Sequence, residues 1–125
     1  MKDIVLGTQY MADFYECSSD LINDRNFVRQ RMLEAATLIK ATIVTDVFHE
    51  FNPHGLSGVV VIAESHMAIH SWPEYRCVSI DIFTCSDQMV PEDGIEHLKI
   101  AFQAKRVEVQ KVVRGTISQR ELKIK

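Results

Sequence analysis

The stretch "CVSIDIFTC", residues 77–85, leaves its chain little choice of conformation. Val78, Ile80 and Ile82 recur with a period of two, and Ser79, Asp81, Phe83 and Cys85 fill the alternate positions. An extended strand puts the first set on one face and the second on the other, so the sheet that holds it has one buried aliphatic face. "GTQYMADFYEC" (7–17), "ATIVTDVFHEF" (41–51) and "KRVEVQKVV" (105–113) read as further strands. "LSGVVVIA" (56–63) is another, whose unbroken Val/Ile run predicts burial on both faces. "HMAIHSW" (66–72) either continues it or pairs beside it, and Pro73 ends that segment.

Two stretches have helical spacing instead. "SSD" at 18–20 offers N-cap residues ahead of a helix in which Val28, Met32, Ala35, Ala36 and Ile39 form one apolar stripe. Pro91, Glu92 and Asp93 open a second, with Ile95, Leu98 and Phe102 on its apolar face. The tail from Thr116 is polar and predicted to be loose. The order β-α-β-β-β-α-β predicts an α+β domain: a two-layer α/β sandwich with a largely antiparallel sheet and two helices on one face. The other sheet face carries Phe83, Cys85 and Trp72, too apolar for plain solvent surface, so a second subunit is expected against it, as a homodimer.

With 125 residues, one domain over 1–125 is expected. A net charge of −3 and no basic run longer than Lys105-Arg106 argue against nucleic-acid binding. No apolar stretch approaches the roughly 20 residues of a membrane span. Asp3 and Gly7 break any signal-peptide pattern, which predicts a cytoplasmic protein. The three cysteines, Cys17, Cys77 and Cys85, are then expected as free thiols, the first two as small buried hydrophobes.

Polar residues interrupt the apolar pattern at "AESHMAIHSWPE", 63–74. On a strand His66 and His70 stand about 13 Å apart, too far to share one zinc ion at roughly 2 Å from each, so no metal site is expected. Ser65, His70 and Asp81 or Glu74 can be drawn as a hydrolytic triad, but no G-x-S-x-G elbow is present. From spacing alone Ser65 ends a strand and His70 is a satisfied core or turn residue. Cys85, on the non-aliphatic face of its strand, reads as functional.

The run "FNPHGLSGVVVIAESHMAIHSWPEYRCVSIDIFTC", from Phe51 to Cys85, resembles the central segment of the small prokaryotic S-adenosylmethionine decarboxylases. The likeness extends to "LGTQYMADFYEC", "KATIVT" and "HLKIAFQAKRVEV", and the E-S-H…H-x-W-P-E pattern is specific. The resemblance implies that the chain is a proenzyme cut by its own chemistry between Glu64 and Ser65. Ser65 Oγ would attack the Glu64 carbonyl to give an ester. Elimination would then leave a pyruvoyl group on a new α chain beside the β chain. Ser57 would steady the oxygen of the tetrahedral intermediate, and His70 would take the Ser65 Cα proton. The pyruvoyl derived from Ser65 would hold S-adenosylmethionine as a Schiff base, with no metal or pyridoxal phosphate. Cys85 would reprotonate the former α-carbon, Phe51 would stack on the adenine, and Glu74 would bind the ribose hydroxyls. The product would be an aminopropyl donor for polyamine synthesis.

Where the family pattern near the start has His and Glu, this chain has Gln9 and Asp13, and Asp reaches one methylene less. Two alternatives remain open: an ornithine or arginine decarboxylase using the same chemistry, or an uncleaved regulatory homologue.

Overall fold

In the computed structural model, which describes residues 3–118, six strands form one antiparallel sheet: β1 (Ile4–Tyr15), β2 (Ile43–Glu50), β3 (Leu56–Ile62), β4 (Ser65–Trp72), β5 (Cys77–Thr84) and β6 (Arg106–Ile117). Their order across the sheet is β2-β3-β4-β5-β1-β6. Three helices, α1 (Ser19–Ile22), α2 (Arg25–Leu38) and α3 (Pro91–Ala101), accompany the sheet, and a 3-10 turn spans Pro73–Tyr75. Short connections explain the antiparallel pairing of β2, β3, β4 and β5, since a parallel neighbour needs a crossover of a dozen residues or more.

The core is built by alternation. Val60 and Ile62, Met67 and Ile69, Val78, Ile80 and Ile82, and Ala12 and Phe14 are all buried, together with Val28, Met32, Ala35 and Ala36 of α2 and Ile95 and Leu98 of α3. The intervening residues of the central strands point to the opposite, uncovered face. There Val47, Val61, Trp72 and Val112 are exposed, and Met11, Val59 and Phe83 are half-buried.

The structure settles one open alternative of the sequence reading and corrects it in three places. "HMAIHSW" belongs to a strand of its own, β4, folded back on β3 through a two-residue turn at Ala63 and Glu64, which separates the paired residues Ile62 and Ser65. The Val/Ile run of β3 is buried on one face only, because no layer of this chain covers the other. The first helical region is two helices, not one: the Ser18 side chain caps α1, and Asp24 Oδ1 accepts from the Phe27 N–H to cap α2. The tail is not loose at Thr116, because Val5 pairs with Thr116 and Ile4 with Ile117 in the ladder of β1 and β6. The part of that tail after Ser118 lies outside the described residues. Among the described residues, no helix is long and apolar enough to cross a membrane.

Candidate active site

The turn between β3 and β4 is tied down on both sides. The Thr42 N–H donates to Glu64 Oε1 at 3.0 Å and Thr42 Oγ1 to Glu64 Oε2 at 3.2 Å. These bonds, the N–H foremost, hold the Glu64 carboxyl below its ordinary range. The Ala63 N–H donates to the Thr42 carbonyl at 2.8 Å, extending the ladder of β2 and β3 into the turn. From the other side the Cys85 N–H donates to the Glu64 carbonyl oxygen at 3.2 Å. Ser65 follows with φ +154°, a value L-residues rarely adopt. Its Oγ lies 3.3 Å from His66 Nδ1. A serine hydroxyl that attacks the carbonyl before it closes a five-membered ring. Here that carbonyl is already polarised by a backbone donor, the arrangement that favours a developing oxyanion. Cys85 is exposed and lines a recess of about 200 Å³ with Thr8 and Thr84.

A second group gathers at the other end of the same strands. Ser57 and His70 are cross-strand partners on the uncovered face, with Ser57 Oγ 2.6 Å from His70 Nδ1. Phe51, His54, Ser57, His70, Trp72 and Glu74 line a cleft of about 350 Å³. His54 Nε2 stands 3.1 Å from Glu74 Oε2. Phe51 is half-exposed at 51%, its ring edge-on to His49 at 4.7 Å. Farther along the row, Ser79 pairs with both His70 and Asp13, and its Oγ donates to Asp13 Oδ1 at 2.7 Å. Gln9 Nε2 donates to Asp81 Oδ1 at 3.5 Å.

The residues singled out in the sequence therefore fall into two clusters. Glu64, Ser65 and Cys85 lie at one end of the sheet; Phe51, Ser57, His70 and Glu74 lie at the other. His70 lies five positions after Ser65 on β4, about 16 Å along a strand. Sequence reasoning missed Thr42 and His54. Thr42 carried no signal, being 22 positions from its partner; His54 stood in a turn and read as nothing else. Among the described residues, no group of three or more His, Cys, Asp or Glu side chains is arranged to hold a metal ion.

The sequence profile of the family described as S-adenosylmethionine decarboxylase matches residues 8–115. The chain belongs to the S-adenosylmethionine decarboxylase family. It is 49% identical over 112 residues to the S-adenosylmethionine decarboxylase proenzyme of Acidithiobacillus ferrooxidans, covering 90% of this chain and 84% of that one. It is 49% identical over 110 residues to the proenzyme of Thermotoga maritima, covering 88% and 85%. The crystal structure of the adenosylmethionine decarboxylase from Aquifex aeolicus superposes with a TM-score of 0.83 at 29% identity, over 95% of this chain and 97% of that one. A Trypanosoma brucei decarboxylase of the family superposes at 0.61 with 14% identity, over 82% of this chain and 44% of the other, and so shares the fold. Family membership agrees with the α+β architecture and the antiparallel sheet.

Proposed function

We propose that the chain is a proenzyme that cuts itself between Glu64 and Ser65 and then decarboxylates S-adenosylmethionine. The observation that carries this reading is the peptide joining those residues, with its carbonyl on the Cys85 N–H and Ser65 at φ +154°. Ordinary hairpin turns need neither feature. Attack by Ser65 Oγ makes an ester of the Glu64 carbonyl, and loss of the Ser65 Cα proton expels the Glu64 carboxylate. The residue left on the new α chain hydrolyses to a pyruvoyl group. Ser65 fits that role, since it is partly accessible at a strand end, and Glu64 before it is held by its carbonyl on the Cys85 N–H and by its carboxylate on Thr42. The pyruvoyl group supplies an electron sink for the departing carboxylate's bonding pair. The Cys85 thiol is the proton donor at the substrate carbon.

His70 suits the role of base for the Cα proton. Ser57 Oγ lies 2.6 Å from His70 Nδ1; in the tautomer whose Nδ1–H donates to that oxygen, Nε2 is the nitrogen that accepts. Phe51 offers its exposed ring to the adenine, and Glu74, oriented by His54, accepts from the ribose hydroxyls.

Neither set of residues makes a site alone. One chain cannot bring His70 to Ser65 across about 16 Å of strand, and a second copy can. The uncovered sheet faces are apolar enough to stack, about 10 Å apart. A two-fold axis between them that reverses the strands sets the Ser65 end of one copy over the His70 end of the other. Each homodimer would then hold two sites, each using both chains.

An intact-mass spectrum of the purified protein tests the cut. The 125-residue chain should give a 64-residue and a 61-residue fragment, the second beginning with a ketone that hydroxylamine modifies. The processed protein should release labelled CO₂ from carboxyl-labelled S-adenosylmethionine. An uncut chain after long incubation would point to the regulatory alternative. Release from ornithine or arginine alone would overturn the substrate.

A further inference from the structure

Self-cleavage needs two proton transfers at Ser65. The hydroxyl proton must leave as Oγ attacks, and the Cα proton must leave later. His70 accounts for the second alone. Adjacent residues of a strand send their side chains to opposite faces, so Ser65 and His66 should not meet. They do, with Ser65 Oγ 3.3 Å from His66 Nδ1. The φ of +154° takes Ser65 out of the strand's alternation and turns its hydroxyl toward the neighbouring imidazole. His66 is itself placed by the sheet: its ring lies 5.9 Å from that of Phe83, its cross-strand partner. It borders a recess of about 410 Å³ on the uncovered face, with Asp81 and Arg114 among the walls. An imidazole within hydrogen-bond reach of the attacking oxygen is what general-base catalysis requires.

We propose that His66 is a catalytic residue of the self-cleavage, with Nδ1 taking the Ser65 hydroxyl proton as Oγ attacks and returning it to the Ser65 nitrogen as the peptide bond breaks. The assignment rests on the self-cleavage reading. As the Oγ–C bond forms, the carbonyl π pair moves onto the oxygen that faces the Cys85 N–H. When the pair returns, the C–N bond breaks and the nitrogen leaves as an amine carrying the returned proton. Amide has become ester, His66 is unchanged, and no further reactant is consumed. His66 thus serves the first step and His70 the elimination.

The test follows wild type, His66→Ala and His70→Ala over time by intact mass and by hydroxylamine, which cuts the ester and spares the amide. His66→Ala should form ester at least about a hundredfold more slowly than wild type, and added imidazole should restore part of the rate. His70→Ala should instead accumulate the hydroxylamine-labile ester. To exclude misfolding, His66→Ala is also placed in the Ser65→Ala chain, whose unfolding temperature it should leave unchanged. Cleavage of His66→Ala at the wild-type rate, accumulation of ester in it, or slow cleavage that ignores imidazole would each overturn the assignment. A wild-type chain that never cuts would remove the self-cleavage reading beneath it.

Discussion

Thr42 shows how little of a working site has to be chemically reactive. Its N–H and hydroxyl engage both oxygens of the Glu64 carboxylate, so the residue before the proposed cut is fixed by its side chain while Cys85 fixes its carbonyl. Thr42→Val keeps the β-branch and the N–H and removes only the hydroxyl. Loss of that hydrogen bond leaves the Glu64 carboxylate held by the Thr42 N–H alone, which predicts slower cleavage than in wild type. Thr42→Ser should cut at nearly the wild-type rate. Time courses on denaturing gels check this, and equal half-times for Thr42→Val and wild type would rule the contact out. At this scale the polar interruption at Glu64 and Ser65 was legible as a break in an apolar pattern, but spacing alone made Ser65 a strand end and His70 a core or turn residue, and the roles expected of them came from the family resemblance. The thiols were legible in part, since Cys77, expected to be buried like Cys17, is only half-buried at the start of β5. Cys17 is fully buried, which with the neighbouring Cys77 pushes its pKa up to about 11, whereas Cys85 is exposed. Thr42 and His54 were not legible, because their roles exist only once distant strands are in register.

Among the elements, the pairing of β2 with β3 depends on a glycine. Gly58 stands directly opposite Phe48, whose buried ring lies where a Gly58 side chain would be. Gly58→Ala must displace that ring or the strand that bears it. The expected loss is about 1–3 kcal/mol, typical of overpacking, read by urea unfolding of the uncut Ser65→Ala chain; an unchanged midpoint would show that the ring moves freely. Strands with clean alternation and helices with full stripes were evident from pattern alone. The split between α1 and α2 was not, because both Ser18 and Asp24 are good caps and the sequence does not say that each is used. The division of β3 from β4 was ambiguous for a related reason. Glu64 closes the turn through Thr42, so the usual Gly or Asn of a tight hairpin is not there to mark it.

For the molecule as a whole, the two clusters at opposite ends of one sheet make a prediction that single variants cannot test. Ser65→Ala chains have nothing to cut, and His70→Ala chains lack the eliminating base. If each site draws on two chains, mixing the two variants under conditions that exchange subunits should let the His70→Ala chain complete its processing. Tagged chains and intact mass measure this; a mixture that stays as inert as its parts would place the site within one copy. The fold class could be inferred from alternation, since strands with one aliphatic face need a helical layer against it. The separation of Ser65 from His70 could have been read from five residues of strand, but only after β4 was known to be extended throughout.

The sheet order has one more result. Were the bond after Glu64 cut as proposed, β1, β2 and β3 would belong to one polypeptide and β4, β5 and β6 to the other, yet β1 lies between β5 and β6. The pieces are interlaced, and neither can leave without opening ladders on both sides of β1. The interlacing is laid down while the chain is still continuous and its ends find each other by tether. After the cut, a molecule that unfolds has lost that tether and must recover its mate by diffusion. On the self-cleavage reading, the chain folds once as an intramolecular event, and its own chemistry would then erase the route by which it did so.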